Sequence, residues 1–152
     1  MKSIGYKSEE TFTKLEIAKI QLSEAINLFI QEKFICSLTL SSAAEEIYAG
    51  YLRNKGQMPV IEESHHFIQV IGNSLGLQIM QDMDKSETIA VWNRAKNRTK
   101  HHNKNEGDDL TLNDCDEAYW MIKRGIANAK SLGILLDNED VFENWVVEKC
   151  CL

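Results

Sequence analysis

An all-α helical bundle is the fold class this sequence predicts, and three observations predict it. Apolar residues recur at alternating steps of three and four along most of the chain. One proline and eight glycines in 152 residues are too few for an all-β protein, which needs a turn roughly every 8–12 positions. Capping residues stand where the periodic stretches start and stop. With 43% hydrophobic and 26% charged residues, the composition is that of a globular domain with its own core.

Leu15, Ala18, Leu22, Ala25 and Phe29 form one apolar stripe between Lys, Glu and Gln residues, which predicts a first helix over roughly 8–33. The period continues through Cys36, Leu40, Ala43, Ile47 and Tyr51 and stops near Gly56, giving a second helix over roughly 35–54. Its Ser41, Ser42, Ala43 and Ala44 are small enough to admit a neighbouring helix closely, so this is the expected central, buried helix. Pro59 suits a helix start, and Ile61, Ile68, Ile71 and Leu75 carry a third helix over roughly 59–75, followed by an irregular stretch at 76–84.

Asp84 and Glu87 form a capping-box pattern that opens a fourth helix over roughly 85–101, with Ile89, Trp92 and Ala95 inward. The polar run NKNEGDD has no apolar period and reads as an exposed loop. Asn113 then caps a fifth helix whose stripe is Ala118, Ile122, Gly125, Ala129 and Leu132, with Gly133 just past its end. The last amphipathic segment, EDVFENWVVEKC, places Phe142, Trp145 and Val146 on one side. It is either a sixth helix docked on the bundle or a partner-binding element, peripheral over 137–152. No repeat or linker divides the chain, so residues 1–152 are expected to form one antiparallel bundle of roughly five to six helices.

The N-terminal MKSIGYKSEE lacks a signal-peptide core, and no apolar run reaches the ~18 residues that cross a bilayer. A cytoplasmic chain without membrane contact is expected. Cys36, Cys115, Cys150 and Cys151 have no metal-type CxxC spacing; Cys36 and Cys115 read as packing residues and the CCL ending as an exposed tail. A net charge of −6 argues against a general nucleic-acid coat, whose affinity rests on phosphate neutralisation.

One local site is different. VWNRAKNRTKHHNKN, residues 91–105, holds seven of the chain's 21 Arg, Lys and His residues. On a helix continuing to residue 101, Arg94, Arg98 and His101 share a face with Asn97 beside them, while Lys96 and Lys100 lie on a neighbouring strip. An Arg fork near a histidine suits a phosphodiester: guanidinium stabilises charge on phosphoryl oxygens and imidazole moves a proton. The plainer reading is a basic helix end that complements the helix dipole and keeps the exit solvated.

NRAKNRTKHHNKNEGDDLTLNDCDEAYWMIKRGIAN, together with LTLSSAAEEIYAGYL in the second helix, resembles the bacterial branch of the HEPN superfamily, all-α domains related to ribonuclease toxins. The resemblance covers most of residues 12–132. Catalytic members carry an Arg, four to six intervening residues and a His. KNRTKH matches with Lys96 at the Arg position, Asn97 as the polar residue and His101 as the His, whereas spacing alone also admits Arg94 with His101. Lys96 offers a point charge where Arg would give a planar two-point contact. On an ideal helix it also lies about 140° from His101, while Arg94 lies on the His101 face but roughly 10 Å along the axis.

The resemblance implies a homodimer whose paired motifs line one cleft, and metal-independent RNA cleavage without a cofactor. His101 would take the 2′-hydroxyl proton, Arg94 or Lys96 would stabilise the phosphorane-like state and Asn97 would orient the site, leaving 2′,3′-cyclic phosphate ends. Arg98, Lys100 and His102 would contribute to RNA or nucleotide binding. Glu45 or Glu46 would orient His101, or else form a helix-surface pair with a partly buried salt bridge. The alternative is a non-catalytic module of the same superfamily that binds RNA, a nucleotide or an antitoxin-like protein.

Other constellations are weaker. Glu62 with His65, and Glu63 with His66, have the spacing of carboxylate-bridged di-metal bundles, but such a site needs the motif from two helices, so no metal is expected. His102 should be solvated, and Trp92, Tyr119, Trp120 and Trp145 should serve core or interface. No phosphate-cradling glycine loop or GxSxG elbow is present.

Overall fold

Regular structure begins where a capping box closes. Thr13 accepts a hydrogen bond from the Glu16 amide at 3.1 Å, and the Glu16 carboxylate accepts from the Thr13 amide at 2.7 Å. Helix α1 accordingly runs Lys14–Ile30 and does not extend back through residues 9–12, as periodicity alone suggested. The structure is a computed structural model that describes residues 9–75, 84–102, 104 and 107–150. Among them every regular element is a helix: α1, α2 (Phe34–Asn54), α3 (Val60–Leu75), α4 (Lys85–Trp92), α5 (Arg94–Lys100), α6 (Asp114–Ser131) and α7 (Glu139–Cys150). Two residues with positive φ mark the turns that flank α2: Glu32 at 61° and Gly56 at 70°.

The core is built on α2, which packs chiefly against α1 and α6. Its buried face is Ser37, Leu38, Ser41, Ser42, Ala44, Glu45, Tyr48, Ala49 and Leu52. This corrects the expected stripe: Cys36 is exposed, and Leu40, Ala43, Ile47 and Tyr51 are half-buried. The buried serines carry their own hydrogen-bond solutions. Ser37 Oγ donates to the Ala25 carbonyl of α1 at 2.8 Å, while Ser41 and Ser42 donate to carbonyls one turn back at 2.7 Å. Small, internally satisfied side chains let α1 and α6 approach closely.

The α1 stripe from Ala18 to Phe29 and the α6 stripe Ala118, Ile122, Gly125 and Ala129 are buried as expected. Pro59 precedes α3, and Asn128 of α6 accepts the otherwise orphaned Val60 amide at 2.9 Å, so a residue 68 positions away caps this helix. Asp84 and Glu87 form the predicted capping box of α4, and Asn113 caps α6. The C-terminal segment is docked: Phe142 is buried, and Phe29 meets both Phe142 and Trp145 edge-to-face with ring centroids 5.2 and 5.1 Å apart. Cys115 is half-buried against the core, while Cys151 and the end of the expected CCL tail lie outside the described residues. Trp120, expected in the core or an interface, is 62% exposed.

The described residues thus contain seven helices, not five or six. The added one comes from a break in the expected 85–101 helix at Asn93, which separates α4 from α5. No helix among the described residues is long and apolar enough to cross a membrane.

Candidate functional site: the α5 end and its ionic network

The break at Asn93 coincides with a side-chain contact to α6. Asn93 Oδ1 accepts from both terminal nitrogens of Arg124, at 3.1 Å each, which fixes this turn against α6. Backbone bonds still reach from Asn93 to Ile89 and from Asn97 to Asn93, both at 3.0 Å, so α5 follows directly on α4. Ala95 and Lys96, in the first turn of α5, are both buried.

Lys96 is the central finding of the site. Its side chain is 6% exposed, and its ammonium lies 3.3 Å from Glu45 and 3.2 Å from Glu46 on α2. Glu45, 3% exposed, also accepts from Arg124 at 3.0 Å. Asn128 adds a longer contact to it at 3.5 Å. Glu46 is half-exposed and lies 3.3 Å from Lys100. A chain of alternating charge therefore runs Arg124, Glu45, Lys96, Glu46, Lys100, from the bundle interior to the end of α5. Burial pushes the Glu46 carboxyl upward, but the charges and hydrogen bonds of Lys96 and Lys100 outweigh it and hold Glu46 below the ordinary glutamate range.

The remaining motif residues disperse. Arg98 donates to the Gly107 and Asp109 carbonyls at 3.1 and 3.0 Å, pinning the acidic loop to α5. Arg94 is exposed and lines a cleft of about 280 Å³ with Leu110, Thr111, Leu112 and Glu117. The face expected to carry Arg94, Arg98 and His101 together is thus turned toward the returning 107–112 segment.

His101 leaves the helix. It is the C-cap of α5 in extended conformation (φ −131°, ψ 143°), with its amide donating to the Asn97 carbonyl at 3.0 Å. Asn97, His101 and His102 are all exposed, and His102 stands 4.0 Å from Asp108. No family model, curated protein or solved structure matches this chain.

Of the residues expected at one site, the structure joins Lys96, Lys100, Glu45 and Glu46 and leaves Arg94, Arg98 and His101 apart. Glu45 and Glu46 pair with Lys96, Lys100 and Arg124, which agrees with the expected partly buried salt bridge and not with a role orienting His101. Arg124, Asn93 and Asn128 complete the network and were not anticipated. Arg124 and Asn128 sit one turn apart on α6, a polar pair beside its apolar stripe, and that pairing was the available signal. In the EESHH segment, Glu62 accepts from Arg53 and Lys85, while His65 is buried.

Proposed function

We propose that this chain is a HEPN-like helical module that holds RNA, without cleaving it, at the exposed end of α5. The destination of Lys96 carries this reading. Locked between Glu45 and Glu46, it is withdrawn from the surface on which Asn97 and His101 stand. A histidine can accept a 2′-hydroxyl proton, but charge building on the phosphoryl oxygens then needs a nearby cation. Arg98 is engaged with loop carbonyls and Arg94 faces the 110–112 cleft.

Binding asks for less. Asn97, His101 and His102 offer exposed hydrogen-bonding groups, and Arg94 and Lys104 add exposed positive charge to this end of the bundle. Two copies about a two-fold axis would set two such ends side by side, so a homodimer belongs to the proposal. The second reading, metal-independent endoribonuclease, is favoured by one observation: Asn97 and His101 stand exposed one helical turn apart. In it His101 is the base, and Arg94 of one copy serves the site of the other.

Incubating the protein with single-stranded RNA in excess chelator tests both. The binding reading expects intact RNA and an affinity that falls with salt, with a slope of about −0.7 per phosphate contacted. His101→Ala and Arg94→Ala should each weaken it several-fold. Chelator-resistant cleavage that disappears in His101→Ala would put the nuclease in its place. Absence of binding, or binding indifferent to both substitutions, would defeat the proposal.

A further inference from the structure

Where α3, α4 and the first turns of α6 meet lies a cleft of about 580 Å³, within the roughly 300–1,000 Å³ range of small-molecule sites. Ile68 of α3, Val91 and Trp92 of α4, and Asp116, Glu117 and Trp120 of α6 line it. Asp116 and Glu117 precede Trp120 by four and three residues, so all three share one face of α6. Trp92 is half-buried, whereas Trp120 is 62% exposed and Val91 56%. Tyr119 meets the Trp120 ring edge-to-face, with centroids 5.0 Å apart, and holds it in place.

The described residues that line this cleft carry two carboxylates and no Lys, Arg or His. Asp116 is exposed and accepts from the Asn113 side chain at 2.7 Å, as part of the start of α6. Glu117 is half-buried, and its carboxylate has no hydrogen bond or ion pair among the described residues. Arg94 borders the neighbouring cleft that Glu117 also lines, but no ion pair joins the two. Acidic residues in a first turn stabilise a helix through its dipole, which accounts for Asp114 and Asp116 without any ligand. The dipole does not account for an indole left open to solvent beside them. Such a ring gains by being covered, and its negative π-face next to a carboxylate attracts a cation that brings apolar surface of its own.

We infer that this cleft is a binding site for a linear aliphatic polyamine of the spermidine type. Glu117 accepts hydrogen bonds from one ammonium group and Asp116 attracts a second. The methylenes between them lie against Ile68, Val91 and the indoles of Trp92 and Trp120. A bare metal ion would use the carboxylates and leave the apolar lining uncovered, and a neutral apolar ligand would leave Glu117 without a partner. The inference does not depend on RNA binding at the α5 end, which uses none of these six side chains.

The test is calorimetric titration of the full chain, free of RNA, with spermidine, and separately with magnesium chloride and with a tetralysine peptide, all at constant ionic strength. Spermidine should bind saturably and raise Tm above the magnesium control. Glu117→Gln should weaken it by about tenfold, the effect of losing a charge-assisted hydrogen bond. Trp120→Leu should weaken it by about two- to fivefold through loss of the cation–π contact, with far-UV circular dichroism confirming that both variants fold. Asp137→Asn removes an equal charge from an exposed position past the other end of α6 and should match wild type. No saturable spermidine binding, or magnesium binding as tightly, would overturn the inference, as would wild-type affinity in folded Glu117→Gln or Trp120→Leu. Tetralysine binding more tightly than spermidine would also overturn it and mark the cleft as a docking surface for a basic protein segment.

Discussion

Replacing Glu45 with Met tests whether the ionic network holds α5 against α2. The carboxylate is 3% exposed and lies between Lys96 and Arg124, themselves 6% and 15% exposed in their side chains. Removing one partner of a buried pair costs about 3–5 kcal/mol, because the remaining charge stays in a poor solvent. Here Lys96 keeps half-exposed Glu46 at 3.2 Å and Arg124 keeps Asn93. The expected loss is therefore at the lower bound, about 3 kcal/mol, which for a chain of this size is a Tm decrease of about 6–12 °C. Lys96→Met should cost less, about 2 kcal/mol, since Glu45 retains Arg124. In the double variant the Lys96 charge that Glu45 neutralised is gone as well, so the cycle should show a coupling energy of about 1–3 kcal/mol. Thermal and urea unfolding of the four proteins measures every term. A Glu45→Met loss below about 1 kcal/mol, with the double variant additive, would refute the reasoning.

Two further outcomes follow from individual contacts. A Cβ added at Gly125 would lie 3.0 and 3.1 Å from the δ-carbons of fully buried Leu22, so Gly125→Ala adds overpacking of about 1–3 kcal/mol against a helix-propensity gain of about 1 kcal/mol. A net loss visible as a lower Tm is expected, and a raised Tm would show that α1 yields freely at Leu22. Hydrogen bonds from Lys85 and then Arg53 hold Glu62 below the ordinary glutamate range. A carboxylate depressed on folding contributes stability that is complete above its unfolded pKa and is lost as pH falls through its folded value. Unfolding measured from roughly pH 7 down to pH 3 should therefore show the gap between wild type and Glu62→Gln closing on acidification. With both cations about half-exposed, that gap should be no more than about 1 kcal/mol at neutral pH, and a gap independent of pH would contradict the assignment.

Much of the fold was legible because its signals are local. The α1 and α6 stripes were read correctly, since each buries one apolar row of a regular helix. The Asp84 and Asn113 caps were read from residues adjacent to the helices they start. In α2 the same method selected the wrong face. Its buried side is rich in serine and alanine and includes a glutamate, so a hydrophobic period could not distinguish it from Cys36, Leu40 and Ile47. The α4–α5 break was likewise invisible, because the partner of Asn93 at that break, Arg124, is 31 residues away.

The sequence by itself determined that this chain makes amphipathic helices, where most of them start and stop, and that a basic, histidine-bearing segment ends one of them. Those properties follow from side-chain period and capping chemistry within a few residues. Only the tertiary structure decided what each basic residue does. Lys96, Arg98 and Lys100 look equivalent along the chain, yet one is buried between carboxylates, one holds a loop and one pairs at the surface. Their environments depend on partners up to 54 residues distant, brought close by helix packing. Charge acts through distance and burial, and neither is written in sequence order.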